Sequence, residues 1–389
     1  MPHTAMKNSI QYLYHKFGRS FLLIILASFA FCSSLNAQIT TPNGKVISSA
    51  AMDSFLQKQM DSLQLPGLSI AFINKGKIVY HRAFGVTDIK TKTPIDEQSI
   101  FEAASLSKPV FTYWVMKLVD RGILSLDTSL YKYLPYPDIA QDERYKLITA
   151  RMVLSHQSGL PNWRFNTADS ALHVKPGALY LNFKPGTSFG YSGEGFLYLG
   201  KVVAHLLNLS IQNMEPVFEK EVAIPLQMAH SSYTANPYIL KHKVRGHQDG
   251  HIDPANGLNW PVLPSMGIDS NTFNPAASLH TNALDYAAFI IALMKDKGLS
   301  PASIREMYRP QLNVPLPVDF RKAGYSTWGL GVAIEQNQSD TFYVHSGNNG
   351  NFQSAFLMDK ARQSGYVFFT NCDHGNSFNE KLEAFLSLK

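Results

Sequence analysis

The hydrophobic pattern near the start of the chain changes from a helical period to the shorter runs of a hairpin. Over residues 46–64 the apolar side chains recur every three or four positions, which predicts an amphipathic helix ending at Pro66-Gly67. Two apolar runs follow, LSIAFIN at 68–74 and KIVYHRAFG at 77–85, with Asn-Lys-Gly between them. Runs of this length around a glycine-containing turn predict a β-hairpin.

A longer apolar stretch, VFTYWVMKLV, covers residues 110–119. Its apolar side chains surround the helical axis almost completely, which predicts a buried central helix. Pro109 has no N–H and is tolerated only in the first turn, so this helix should begin near Ser105. The region from roughly 120 to 300 continues as a mostly helical segment broken by Pro and Gly.

Strand patterns return in the last quarter of the chain and precede a final amphipathic helix. The four runs are WGLGVAIE (328–335), TFYVH (341–345), FQSAFLMD (352–359) and GYVFFTN (365–371). Together with the hairpin they predict one antiparallel sheet, with the N- and C-terminal helices on one face and an all-helical lobe at roughly 120–300 on the other. The expected fold class is therefore α/β in the α+β sense, in one domain over 38–389.

Residues 1–37 have the layout of a secretory signal peptide. Three basic residues precede the apolar run FLLIILASFAFC at 21–32, and a small residue stands at Ala37. The apolar run is shorter than the roughly 20 residues of a membrane-spanning helix. A retained N-terminal anchor and a lipoprotein modified at Cys32 are the alternatives. We expect an exported protein that is periplasmic or secreted.

The composition limits the kinds of partner. Without residues 1–37 the chain has 32 basic and 29 acidic residues, a net charge of +3 that is too small to favour nucleic acid. Cys372 is then the only cysteine, so no intramolecular disulfide is possible. Neither a CxxC nor an HExxH pattern occurs, and we expect no metal and no cofactor. The expected protein is a monomer that acts on a small molecule or a peptide.

A candidate nucleophile opens the buried helix. Ser105 and Lys108 stand three residues apart, so hydroxyl and amine share one face at the positive end of the helix dipole. A serine hydroxyl needs an adjacent base, and burial can lower the pKa of a lysine until it serves as one. The same spacing recurs at Ser129–Lys132, with no apolar helix after it. The spacing alone leaves both serines as candidates.

This arrangement, with a serine at the start of the buried helix, resembles the serine β-lactamase and penicillin-recognising superfamily. It looks most like the branch of class C β-lactamases, serine DD-peptidases and related esterases, over most of residues 45–385. Further stretches support the resemblance in the expected order: LSHQSGLPNW (154–163), FKPGTSFGYSGEGFLYLG (183–200) and VHSGNNG (344–350). The resemblance implies acyl transfer through Ser105.

The resemblance also implies roles for residues far along the chain. Tyr191 is expected in the second motif, as a base or as the donor to the leaving group. Lys108 and His345, as positive or donor groups, are expected to lower the pKa of Tyr191. Whether Lys108 or Tyr191 takes the first proton is open.

The third motif of the superfamily corresponds to His345-Ser346-Gly347, on a strand that is expected to line the site. Ser346 and Gly347 are then substrate-binding residues. The oxyanion hole would use the backbone N–H groups of Ser105 and Asn348.

One motif departs from the family pattern. Where the superfamily has Tyr-x-Asn, this chain has Tyr191-Ser192-Gly193, while a literal Tyr-x-Asn stands upstream at 180–182, before the PGT segment. We interpret the upstream Tyr-x-Asn as a chance match and Tyr191-Ser192-Gly193 as the second motif. If that is right, the amide that normally contacts the substrate is missing from position 193. Glu194, or a residue from the loop at 235–275 that we expect to form a wall of the site, is expected to replace it.

The substrates implied by the resemblance are peptides that contain D-Ala or small esters, with weak or slow turnover of β-lactams. A class C β-lactamase is the alternative enzyme. The alternative from another class is a non-catalytic module that binds cell-wall peptide or penicillin, which Gly193 favours.

Overall fold

The computed structural model describes residues 38–41, 44–164, 177–253, 271–336 and 340–388. Residues 39–389 form one compact unit. The segment 1–37, which we interpret as a signal peptide, lies outside the described residues, as does the part of the long loop at 254–270. Within the described ranges, no helix combines the length and the apolar character needed to cross a membrane.

All seven strands of the largest sheet in the described ranges come from the hairpin and from the last quarter of the chain. The strands of the described ranges are β1 (Gln38–Thr40), β2 (Val46–Ser48), β3 (Gly67–Asn74), β4 (Lys77–Gly85), β5 (Phe101–Glu102), β6 (His247–Gln248), β7 (His251–Ile252), β8 (His280–Thr281), β9 (Thr327–Trp328), β10 (Ala333–Gln336), β11 (Thr341–Asn348), β12 (Gln353–Asp359) and β13 (Ser364–Thr370).

Seven of these strands form one antiparallel sheet in the order β4-β3-β13-β12-β11-β10-β9, which confirms the predicted sheet. Every residue of β12 and β13 is buried, because these central strands are covered on both faces. The run WGLGVAIE is not one strand, however. It forms β9 and β10 around a tight turn, in which Gly329 donates its N–H to the carbonyl of Val332 and Gly331 has a φ of +73°.

The helices cover both faces of the sheet. Those in the described ranges are α1 (Ser49–Leu63), α2 (Ser107–Asp120), α3 (Ala150–Leu154), α4 (Gly193–Leu206), α5 (Glu215–Phe218), α6 (Pro237–His242), α7 (Ala283–Met294), α8 (Pro301–Tyr308), α9 (Val318–Lys322) and α10 (Gly375–Leu386).

Helices α1 and α10 pack together on one face of the sheet, as predicted. Phe55 of α1 stacks on Phe385 of α10 with ring centroids 4.0 Å apart, and Phe378 of α10 contacts Phe368 of β13 edge to face. The other face meets α7, where Tyr286 packs against Phe356 of β12. Helix α2 belongs to the same apolar cluster as α7, and it is buried on nearly all sides.

The region between 120 and 300 is less helical than its pattern predicted. Apart from α4 and α7, its helices in the described ranges are six residues or shorter. Each of α3, α6 and α7 begins at a polar cap whose side chain accepts a backbone N–H: Thr149, Asn236 and Asn282. Frequent caps and prolines divide the segment, and long irregular connections join the pieces.

Candidate active site

Ser105 and Lys108 lie within hydrogen-bond distance at the start of helix α2. The Nζ of Lys108 donates to the Oγ of Ser105 at 3.0 Å and to the carbonyl oxygen of Ala276 at 2.8 Å. The Lys108 side chain is completely buried, and burial lowers its pKa from 10.5 to about 7. A lysine with such a pKa is partly neutral at pH 7 and can accept a hydroxyl proton. The lowered pKa expected from the sequence is confirmed.

The turn that carries Ser105 lies tightly against strand β11. Ser105 belongs to a single helical turn, Ala104–Leu106, that precedes α2, and Ala104 has a φ of +49°, which alanine rarely adopts. Gly347 of β11 permits this contact, because a Cβ there would lie 2.4 Å from the carbonyl oxygen of Ala103. Gly347 therefore allows β11 to pack against the turn that carries Ser105. The sequence analysis assigned Gly347 only to substrate binding and did not include this packing role.

Tyr191 lies just before helix α4, with its ring beside Lys108. The Nζ of Lys108 is 4.7 Å from the centroid of the Tyr191 ring. Burial raises the pKa of Tyr191, and the hydrogen bond with Ser105 offsets only part of this effect. The expectation of a lowered Tyr191 pKa is wrong, because desolvation of the phenolate dominates. The phenol is protonated at neutral pH and can donate a proton.

His345 is buried on β11 and is neutral. Its Nδ1 lies 2.8 Å from the carbonyl oxygen of Ser346, which can only accept, so Nδ1 carries the hydrogen. Burial, reinforced by nearby Lys108, lowers the pKa of His345 to about 3. Its Nε2 is a buried acceptor without a partner in the described part of the chain. The expectation that His345 acts as a positive group is therefore wrong.

The backbone N–H of Asn348, one of the two expected oxyanion donors, points away from strand β12. Asn349 donates its N–H to the carbonyl of Phe352 on the β12 side. Because antiparallel pairs alternate, the N–H of Asn348 points to the opposite side of β11. On that side the pairing of β11 with β10 stops at Val344. The N–H of Asn348 therefore lies at an unpaired strand edge.

A cavity of about 350 Å³ lies in front of Ser105. Its lining residues in the described ranges are Ser105, Asn162, Tyr191, Phe320, Tyr325, Trp328, His345, Ser346 and Asn348. Most of the candidates from the sequence thus meet at one cavity. Tyr180 and Asn182 do not line it, and neither does Ser129, whose Oγ donates to the carbonyl of Lys146.

Glu194 is in a different environment from the one expected. Its side chain is completely buried, and its two carboxylate oxygens accept hydrogen bonds from the Arg164 guanidinium at 3.1 and 2.8 Å. The backbone N–H of Arg164 donates to the same carboxylate at 3.0 Å. Arg164 also pairs with Asp138. Glu194 is therefore a structural ion-pair partner, and its expected contact with the substrate is wrong.

The position of the missing amide is closed by a tryptophan. A Cβ on Gly193 would lie 2.6 to 2.8 Å from three atoms of the Trp163 ring, so a side chain there would require the ring to move. The residue that reaches the cavity from this side is Asn162, which the sequence analysis did not single out. The signal was present in LSHQSGLPNW, whose last two residues are Asn162 and Trp163.

His156 is a second residue that the sequence analysis missed. It is completely buried, and its ring lies 4.1 Å from the Tyr191 ring, centroid to centroid. Its Nδ1 accepts the backbone N–H of Ser192 at 3.1 Å, which anchors the residue that follows Tyr191. Burial holds its pKa well below the ordinary value, so His156 is neutral.

The loop at 235–275, expected to form a wall of the site, is described only in part, and residues 254–270 lie outside the described residues. None of its described residues, 235–253 and 271–275, lines the cavity, although Ala276 just after it binds Lys108. Within the same described ranges, no group of three or more His, Cys, Asp or Glu side chains is placed to hold a metal ion.

Comparison with known proteins shows which family the sequence matches and which proteins it resembles. The sequence profile of the β-lactamase family matches residues 52–388. Protein flp of Staphylococcus aureus is 22% identical over 333 residues, which cover 82% of this chain and 62% of flp. Esterase EstB of Burkholderia gladioli is 24% identical over 358 residues, which cover 83% of this chain and 90% of EstB. The chain thus spans less than two thirds of the length of flp.

A solved structure supports the fold. The octameric penicillin-binding protein homologue from Pyrococcus abyssi matches with a TM-score of 0.68 at 22% identity, covering 84% of this chain and 74% of that one. The match confirms the predicted fold class, an antiparallel sheet with helices on both faces.

Proposed function

Because this chain belongs to the β-lactamase family, we propose that it is a serine hydrolase that forms an acyl-enzyme on Ser105. The observation that carries the proposal is the 3.0 Å contact between Ser105 Oγ and the Nζ of Lys108, whose pKa is about 7. A hydroxyl beside a buried amine that is partly neutral at pH 7 is an activated nucleophile. The other serine with this spacing, Ser129, instead donates its hydroxyl to the carbonyl of Lys146.

Acylation starts with the free amine of Lys108. It takes the proton of Ser105 while Oγ attacks the substrate carbonyl carbon. Negative charge then develops on the carbonyl oxygen between the N–H groups of Ser105 and Asn348. One such donor typically stabilises the transition state by about 3–4 kcal/mol.

Tyr191 completes the first half-reaction. Its phenol is protonated, since burial raises its pKa, and it gives its proton to the departing oxygen or nitrogen as the tetrahedral intermediate collapses. The proton held by Lys108 returns to Tyr191, so both groups regain their starting state. Water then attacks the acyl-enzyme by the same proton transfers in reverse, releasing the acid and Ser105.

The cavity favours an uncharged substrate. Its described lining residues carry hydroxyl, amide, imidazole and aromatic groups, and none is Lys, Arg, Asp or Glu. A peptide that ends in D-Ala, or a β-lactam, brings a carboxylate, and burying it without a cationic partner is costly. We therefore favour small esters, with D-Ala-type peptides second and β-lactams as slow substrates. EstB, a relative of this chain, is named an esterase. Export is proposed from the pattern of residues 1–37 alone.

A fluorophosphonate labelling assay tests the nucleophile. Wild type and the matched control Ser129→Ala are expected to bind the probe covalently, and Ser105→Ala is expected to lose the label. Label that persists in Ser105→Ala and disappears in Ser129→Ala would refute the assignment.

Turnover separates an enzyme from a binding module. We expect the wild type to hydrolyse p-nitrophenyl butyrate and to be acylated by nitrocefin with slow release. Covalent labelling without hydrolysis of any ester or D-Ala-D-Ala peptide would favour the non-catalytic module instead.

A further inference from the structure

The side chain of Asn162 presents an oriented amide to the cavity. Its Oδ1 accepts the backbone N–H of Gly193 at 3.0 Å. Because a backbone N–H can only donate, the oxygen of the amide must face Gly193, and the Nδ2 group is the opposite end. Asn162 is exposed, lines the cavity in front of Ser105, and its Nδ2 makes no hydrogen bond to the described residues.

The backbone around Asn162 is held rigidly. Its carbonyl oxygen accepts the N–H groups of Gly193 at 3.1 Å and Glu194 at 3.0 Å, which are the first two of helix α4. The preceding carbonyl, of Pro161, accepts the Ser192 hydroxyl at 2.9 Å. An amide fixed by main-chain contacts on both sides loses little conformational freedom when it binds a ligand.

Two buried contacts keep this segment against the start of α4. The ring of Trp163 covers Gly193, where a side chain would collide with it. Arg164 is paired with the buried carboxylate of Glu194. These contacts leave position 193 without a side chain and bring Asn162 to the cavity in its place.

We propose that Asn162 is a substrate-binding residue, whose Nδ2 donates a hydrogen bond to a second carbonyl oxygen in the acyl group of the substrate. The proposal rests on the proposed acyl-enzyme chemistry at Ser105. A carbonyl acceptor matches an N–H₂ donor, and the N-terminus of the 14-residue helix α4 adds a positive partial charge beside it. The preferred substrates are therefore esters of acids that carry a keto or amide carbonyl, such as acylated amino acids.

The test compares two esters that differ by one carbonyl group. p-Nitrophenyl 4-oxopentanoate offers the second oxygen, and p-nitrophenyl pentanoate has the same chain without it. We expect the wild type to prefer the oxo ester in kcat/KM by about fivefold, the value of one ordinary hydrogen bond. Asn162→Ala and Asn162→Asp are both expected to bring this ratio close to one.

The aspartate variant separates binding from structure. Asn162→Asp keeps an oxygen that accepts the N–H of Gly193 and replaces the N–H₂ donor with a charged carboxylate oxygen, so it also serves if Asn162→Ala does not fold. The exposed Asn182, outside the cavity lining, provides the matched control, and Asn182→Ala should keep the wild-type ratio.

Each result is decisive. If the wild type hydrolyses neither ester, the proposed preference for small esters fails and this inference with it. If the wild type hydrolyses both esters and the ratio stays the same in the Asn162 variants, the proposed function stands and the role of Asn162 is refuted. A ratio that falls in Asn162→Ala but persists in Asn162→Asp would also refute it, because the donor would then be irrelevant.

Discussion

Replacing Lys108 by methionine should abolish activity and, at neutral pH, stabilise the fold. Lys108 is completely buried, and its amine contacts the Ser105 hydroxyl and the Ala276 carbonyl, with no acidic partner among the described residues. Methionine fills a similar volume and carries no ionisable group. The folded state would then no longer bury an amine that the unfolded chain keeps protonated in water.

The magnitude follows from the two pKa values of Lys108. Burial lowers the pKa from 10.5 to about 7 in the folded protein. Between these values the unfolded chain binds more protons than the folded protein, so the free energy of unfolding rises with pH. This proton linkage costs the folded wild type about 4 kcal/mol at pH 7 and about 2 kcal/mol at pH 9. Loss of the bond to Ala276 offsets about 1 kcal/mol of the gain in the variant at either pH.

Urea unfolding followed by circular dichroism at pH 7 and pH 9 measures the effect. We expect Lys108→Met to exceed the wild type by about 3 kcal/mol at pH 7 and by about 1 kcal/mol at pH 9. Lys132 is exposed and provides the matched control, since its removal should leave the pH dependence of stability unchanged. A stability difference between Lys108→Met and the wild type that is the same at both pH values would refute the reasoning.

The same geometry gives three further predictions. The kcat/KM for an ester should rise with pH through about 7, because Lys108 must be neutral to accept the proton; a flat profile from pH 6 to 8 would contradict this. Tyr191→Phe should lower kcat by about 10²–10⁴-fold, with an unchanged melting temperature. Tyr180→Phe should have little effect on kcat. A larger loss in Tyr180→Phe than in Tyr191→Phe would make the Tyr-x-Asn at 180–182 the true second motif. Gly193→Asn should destabilise the protein by about 1–3 kcal/mol in thermal unfolding, because its side chain collides with Trp163, and the same change should cost less in a Trp163→Gly background. Equal stability of Gly193→Asn and wild type would show that the ring moves freely.

Much of the candidate site could be predicted from the sequence, because the patterns that indicate it lie within short stretches of the chain. The spacing of Ser105 and Lys108, and the proline that follows, place both side chains at a helix start whatever the rest of the chain does. The apolar run after them required burial, and burial lowers a lysine pKa, so this property could also be foreseen. The resemblance of the later motifs then placed Tyr191 and His345 near the same helix.

The protonation states of Tyr191 and His345 could not be foreseen in this way. The sequence suggested a positively charged surrounding, which would lower the pKa of a phenol. In the folded protein His345 is buried and Tyr191 is partly buried, and desolvation outweighs the nearby charges. The balance depends on how completely each group is enclosed, and that is a property of the whole assembly of elements.

The sequence alone predicted the hairpin, most of the later strands of the antiparallel sheet and the placement of Ser105 beside Lys108, since periodicity and short spacings act within one element or between neighbours along the chain. Only the tertiary structure decided what stands at the missing amide. Glu194 looked available beside Gly193, yet Arg164, thirty residues away in sequence, engages its carboxylate in the interior. Trp163 occupies the space above Gly193, and Asn162 lines the cavity. These contacts join segments distant along the chain, and no local pattern encodes which of them meet.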